Sequence, residues 1–326
     1  MQIKYCVSIA LALVAGLSLS PAALAQQAFP SKPITWVVGF PPGGGADGVA
    51  RIVTAKLSQN IGQPVVIENR PGASSMIAAQ YVASSPPDGY TVFGAENGAL
   101  VYNTALYSKL AYDPVRDFAP VTNMIRAPLL LVVHPSFPAT DFKTFIDVAK
   151  RQPGKLNYAS PGKGIAHHLA MEMLKVRTGI DIVDVSYKGI GPVVQDVLAG
   201  QMQIAVIDTV VVTPHVRSGK MRALASFTTN RLAVLPDVPS LAELGYPDLD
   251  FAPIVAVVAP ARTPPEIIAR LNAEIVRAIR DPEVTKKLTD LGLEVIPNSP
   301  QQFGAYLDAE AKRMLPFIRS LNIRLD

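Results

Sequence analysis

Residues 34–51 read ITWVVGFPPGGGADGVAR, and their reading decides the fold. The apolar, β-branched run at 34–40 reads as a strand, and Pro41-Pro42 stop it. Gly43-Gly44-Gly45 open a turn, after which Val49, Ile52, Val53 and Leu57 recur with helical spacing. Strand, glycine loop and helix start in that order expose unpaired backbone N–H groups beside the positive end of a helix dipole. Such a place binds anions.

Upstream, residues 1–25 have the form of an export signal. Lys4 supplies the positive end, residues 7–19 a short apolar run, and Ala23-Leu24-Ala25 a cleavage site. The expectation is a cleaved signal peptide and a periplasmic protein. The only cysteine, Cys6, lies within that segment, which leaves the rest without thiol, disulfide or cysteine-based metal chemistry.

Downstream, the grammar repeats. A helix at 46–60, the strand PVVIE (64–68), a helix at 75–84 and a strand at 90–95 make a β-α-β-α-β run, which predicts a parallel sheet with helices on its faces. Residues 118–133 read as one long extended segment leaving a first domain and entering a second. The second then alternates strands at 129–134, 156–160, 182–186, 203–207 and 221–227 with helices at 141–151, 167–178, 192–199 and 210–218. A buried strand at 254–258 and helices at 264–281 and 301–320 close the chain onto the first domain. The expected class is α/β, with two lobes, each a mixed, mostly parallel sheet flanked by helices. The lobes would be 28–126 plus 228–326 and an inserted 127–227, joined by two crossings. With 49% hydrophobic and 17% charged residues, a large core is available. The formal net charge of +4 is too small and scattered for a nucleic-acid footprint.

The inserted lobe carries a matching loop. YASPGKGIAHH (158–168) again runs strand, glycine turn, helix start, with Ser160 and the N–H groups from Gly162 to Ala166 as donors and His168 near the first helical turn. Two such loops facing one another could grip one carboxylate without any cationic side chain. Further polar residues stand at strand ends, where open α/β sheets place ligand contacts: Glu96 and Asn97, Lys188, and Asp208. A carboxylate there would repel a second acid group or recognise an amine or hydroxyl. The histidines make no metal site, since His167 and His168 are adjacent and diverge on a helix. No cofactor is expected. Two enzyme readings stand beside the receptor. Residues 43–48 satisfy G-x-G-x-x-G, with Glu68 twenty residues on, as in a dinucleotide-binding oxidoreductase, although Pro41-Pro42 separate strand from glycines. His168 near Ser160 would suit a small hydrolase.

Taken in order, FPPGGGADGVAR (40–51), IENRPGAS (67–74), YASPGKGIAHHLAMEM (158–173) and VSYKGIGPVVQDVLAGQMQ (185–203) resemble the Bug-type receptors of tripartite tricarboxylate transporters. So do SGKMRALA (218–225), LPDVPSLAELGYPD (235–248) and APARTPPEIIARLNAEI (259–275). The resemblance implies a two-lobed Venus-flytrap binding protein of the periplasm, without catalytic activity, that holds small organic acids. It places Gly43, Gly44, Ala46 and Asp47 in the first ligand loop and Ser160, Gly162, Gly164 and His168 in the second. It implies membrane permease subunits as partners; a signalling sensor is the other output, and a monomer is expected. Ala95-Glu96-Asn97-Gly98 departs from the small, hydroxyl-rich segment usual there, and His167 stands where Gln, Thr or Pro is common.

Overall fold

The computed structural model describes residues 29–326, so the signal-peptide expectation and Cys6 lie outside the described residues. Residues 32–326 form one compact unit holding two sheets.

The first sheet begins with β1 (Ile34–Val38). After helix α1 (Gly45–Ile61) the chain returns as β2 (Val65–Asn69) on one side of β1. After helix α2 (Met76–Ala83) it returns as β3 (Thr91–Ala95) on the other side, both parallel to β1. The second sheet repeats this. β6 (Leu156–Ser160) is followed by helix α5 (Ala166–Thr178), then β7 (Ile182–Ser186) on one side. Helix α6 (Ile190–Leu198) and β8 (Ile204–Asp208) follow on the other, again parallel. β1 and β6 are therefore the strands at which the winding reverses. In open α/β sheets the crevice beyond the strand ends at that reversal is where ligands sit. Both glycine loops follow these two strands.

Antiparallel strands complete each sheet. β4 (Phe118–Arg126) and β5 (Leu129–Val133) come from the stretch expected as one extended segment, which is broken at Ala127-Pro128, each half joining a different sheet. β5 lies between β8 and β9 (Arg222–Ser226), and all five of its residues, LLLVV, are buried. A strand covered on both faces needs this unbroken apolar run, each side chain contributing about 1.5–3 kcal/mol. β10 (Ile254–Pro260) pairs antiparallel with both β3 and β4, and the two-residue β11 (Glu294–Val295) edges β4. Parallel pairing is thus confined to three strands in each sheet.

Helix α4 (Phe142–Arg151) starts at a capping box made by Asp141 and Thr144, and its buried face carries Phe142, Phe145, Ile146 and Ala149. Helices α7 (Thr209–Arg217), α8 (Pro265–Ile279), α9 (Pro282–Asp290) and α10 (Pro300–Ser320) complete the long elements. Helix α9, β11, a π turn at Gly98–Tyr102 and the short helix α3 (Asn103–Leu106) were not foreseen. The chain crosses between sheets twice, and the crossings are tied together. Ala127 N–H donates to Pro253 O at 2.8 Å and Phe251 N–H to Phe227 O at 3.0 Å. The Arg126 guanidinium pairs with Asp250 from the second crossing and with Glu294 at 3.1 Å.

Candidate functional site

The two glycine loops are built alike. In the first, Gly43 has φ +84°, a left-handed conformation that favours glycine. Gly44 caps α1 in an extended conformation (φ −75°, ψ 170°), with no side-chain cap. In the second, Gly164 has φ +78° and Ile165 caps α5 at φ −79°, ψ 169°, again without a side-chain cap. In both, the third helical residue reaches back to the glycine. Gly43 N–H donates to Asp47 Oδ2 at 2.9 Å, and Gly164 N–H donates to His168 Nδ1 at 3.3 Å. Gly-x-x-x-Asp and Gly-x-x-x-His thus fold the same turn. The first N–H groups of a helix have no intrahelical acceptor, so each turn leaves the amides of its first residues, 45–46 and 166–167, available.

Asp47 is 1% exposed, and its carboxylate is spent inside the protein. Besides Gly43 it accepts from Arg51 Nε at 2.8 Å and from Asn69 Nδ2 at 2.9 Å. Burial pushes its pKa up, but the hydrogen bonds from Arg51, Gly43 and Asn69 outweigh this and lower it to about 2. Asn69 Nδ2 also donates to Phe40 O, so one amide group fixes both ends of the loop. Behind it, Ser75 Oγ donates to Gly39 O at 3.2 Å, and a Cβ at Gly39 would collide with the Ser75 side chain.

His168 is likewise internal, 3% exposed and stacked on Tyr158 with ring centroids 6.5 Å apart. Its Nδ1 accepts, which places the proton on Nε2, 3.9 Å from Asp184 Oδ2. Burial lowers its pKa against the opposing pull of Asp184 and Glu172, which keeps the ring neutral near pH 7. Ser160 is fully buried, with Oγ 3.4 Å from Ser186 Oγ. Asn97 spends its Oδ1 on Ile254 N–H (2.8 Å) and its Nδ2 on Tyr306 Oη (3.1 Å). The structure therefore makes Asp47, His168 and Asn97 holders of backbone. Lys188 is exposed beside the second loop, where Gly189 N–H donates to Pro161 O at 2.9 Å.

Two acids and one unpartnered ring nitrogen stand near the ends of β8 and β3. Asp208, the last residue of β8, accepts from His167 Nε2 at 2.8 Å. His167 Nδ1 is buried without a partner. Glu96, one residue beyond β3 in the other sheet, is only partly exposed; burial and then the charge of Asp208 push its carboxyl up to about 8. Contacts also span the two sheets at Gly164, where a Cβ would lie 3.0 Å from both terminal methyls of Leu106 and 3.1 Å from Leu325. Thr209 Oγ1 donates to Gly292 O at 3.1 Å at the start of α7.

Sequence reading missed Arg51, Asn69 and the role of His167. Asn69 and Arg51 had a signal, since both stand beside recognised motifs; the back-reaching partner shows only in the repeated i, i+4 spacing of Gly43–Asp47 and Gly164–His168.

Residues 49–323 match the sequence profile of the tripartite tricarboxylate transporter family receptor. Protein BugT of Bordetella pertussis is 34% identical over 93% of this chain and 94% of its own length. Two solved structures share the fold along nearly their whole length. R. palustris Rpa4515 with adipate is 35% identical, covering 91% of this chain and 100% of its own with a TM-score of 0.84. MatC of Rhodopseudomonas palustris with bound malate is 34% identical, covering 89% and 100% with a TM-score of 0.79. The matching family and structures are solute-binding receptors and not enzymes, which sets aside both the oxidoreductase and the hydrolase readings. The chain belongs to the receptor family of the tripartite tricarboxylate transporters, with the two-lobed fold of periplasmic binding proteins.

Proposed function

We infer that this protein is a periplasmic receptor that captures one small organic carboxylate between its two glycine loops and hands it to the membrane subunits of a tripartite transporter. One observation carries the reading: a receptor with two sheets repeats the same uncapped helix start at the reversal point of each. Each helix dipole contributes roughly 0.3–1 kcal/mol toward an anion, more when partly buried. Each amide hydrogen bond to a charged acceptor adds about 1.5–3 kcal/mol. Two or three amides from each side suffice without a lysine or arginine. The amides of Gly45 and Ala46 and of Ala166 and His167 then meet the carboxylate, while Gly43, Gly44, Gly162 and Gly164 shape the turns and Asp47 and His168 hold them. Malate and adipate in the related structures are carboxylates of the expected size. Closure would be a hinge motion at the two hydrogen-bonded crossings.

Gly44→Val tests this. Gly44 has an ordinary φ, and a Cβ there would meet only Pro41 O at 3.5 Å, so valine keeps the fold and fills the space in front of the amides. Calorimetry against mono-, di- and tricarboxylates should find a binder that the variant loses while its melting temperature stays within a few degrees. Unchanged affinity in Gly44→Val, or no binding of any acid to the wild type, overturns the reading.

A further inference from the structure

After α10 the chain turns back on itself. Asn322, with φ +52°, leaves the helix in a left-handed conformation, a common way for a chain to exit a helix. Residues 322–326 then form a strap along the short helix α3, against which α10 itself packs. The last carbonyls of α3 have no intrahelical donor, and the strap supplies them. Arg324 Nη1 donates to Ala105 O and Leu325 N–H to Leu106 O, each at 3.0 Å. Ser108 N–H donates to Asp326 Oδ2 at 3.0 Å, and the Ser108 hydroxyl reaches the same oxygen. All of these partners lie in the chain between β3 and β4 of the first sheet.

The Leu325 side chain reaches the other way, to the ligand loop of the second sheet. There it meets Gly164 beside Leu106, and a Cβ on that glycine would lie 3.0–3.1 Å from the methyls of both leucines. The methyls therefore rest on the backbone of the loop. Leu106 is 2% exposed, and Leu325 and Ala166, the first residue of α5, pack on the same apolar cluster. Glycine is needed at 164 on two counts, for its φ of +78° and for the leucines above it.

The two attachments of the strap respond differently to a hinge motion. Its hydrogen bonds stay on its own side and survive opening, whereas the apolar contact at Gly164 is lost. Another meeting of the sheets, Thr209 Oγ1 on Gly292 O, lies next to a crossing, since Thr209 N–H also donates to Pro128 O. A contact beside the hinge changes little as the lobes part. One at a ligand loop breaks.

We propose that residues 322–326 are a latch: Leu325, together with Leu106, holds the second ligand loop in the closed form and slows release of the ligand. Leu325 is a positioning residue that acts through the loop. The effect on release rests on the loops holding a carboxylate, as set out above; the latch itself needs no ligand.

Leu325→Ala removes the methyls and leaves the backbone bond to Leu106 O in place. Leu325→Met keeps an apolar side chain of similar volume, and Arg324→Ala loosens the strap without changing a side chain at Gly164. Small-angle scattering of the ligand-free proteins should give Leu325→Ala a larger radius of gyration than the wild type. Arg324→Ala should shift less in the same direction, and Leu325→Met not at all. Surface plasmon resonance with adipate and with malate should show dissociation from Leu325→Ala about tenfold faster, with association within about threefold of the wild type. Equal radii together with equal dissociation rates overturn the latch and leave the carboxylate receptor standing. If neither acid binds, equal radii alone overturn it; if no acid of any kind binds, the receptor reading falls while a larger radius in Leu325→Ala still supports the latch.

Discussion

Replacing Asp47 by asparagine removes one charge and leaves the side chain the same size, which isolates what that carboxylate does for the first loop. In the wild type it accepts from Gly43 N–H, Arg51 and the Asn69 amide, all donors. Asparagine offers one oxygen and an NH2, so at least one of those donors meets another donor. Hydrogen bonding holds the Asp47 pKa at about 2 against its ordinary 3.8. At about 1.4 kcal/mol per pH unit, this corresponds to roughly 2.4 kcal/mol of folding stability. Arg51 is more than half exposed, so solvent screens its share, and about 2 kcal/mol is the expected loss. The sign follows from the direction of the displacement: the folded value is lowered, so the contribution is complete above pH 3.8 and disappears as the pH falls through 2. Urea unfolding at pH 7 should place Asp47→Asn about 2 kcal/mol below the wild type, and the gap should close in acid toward pH 2. Because Gly43 loses its anchor, affinity for the carboxylate should fall as well. A variant within 0.5 kcal/mol of the wild type at pH 7, or a gap independent of pH, would mean that the Asp47 carboxylate does not hold the loop.

Three further outcomes follow from the same geometry. Gly164→Ala places a methyl against Leu106 and Leu325 in a left-handed backbone, and should cost about 1–3 kcal/mol; adding Leu106→Ala should return part of the loss, as a double-mutant cycle of unfolding energies would show. His168 has a folded pKa lowered below 6.5 by burial, so the stability of its neutral form is present above pH 6.5 and lost below it. Wild type should weaken relative to His168→Gln between pH 6.5 and 4.5, and parallel stability curves would contradict the buried neutral ring. Glu96 has the opposite displacement, from 4.5 up to about 8, so Glu96→Gln should match the wild type below pH 4.5 and become the more stable of the two as the pH rises toward 8, as read by melting temperature.

The fold was largely legible because its signals are local. The apolar run at 34–38, its proline stop and the periodic Val49, Val53 and Leu57 give strand, turn and helix wherever they occur, and the repetition of that order implied two sheets. What the pattern could not carry was pairing. β10 lies between β3 and β4 in antiparallel sense, a partnership across more than 120 residues that no spacing encodes. Helix α9 and β11 are short and start at a proline or in an irregular stretch, where periodicity is weak. At the site, the glycines mark places where backbone can meet a ligand, and both loops follow the strands at which the winding reverses. The charged and polar members were harder. Asp47, Asn97 and His168 look like ligand residues in sequence because they flank glycines, yet each turns inward to hold a backbone N–H. Their type says that they accept a hydrogen bond, and only the fold says from which donor.

The central claim is that backbone amides of both loops bind the carboxylate. The most direct measurement is the amide 15N–1H spectrum of the assigned protein, titrated with the carboxylate that calorimetry identifies. The amides of Gly45 and Ala46, together with those of Ala166 and His167, should move downfield in proton shift at one common dissociation constant and become protected from exchange. Shifts confined to one loop, or largest at residues away from 43–47 and 160–168, would contradict it.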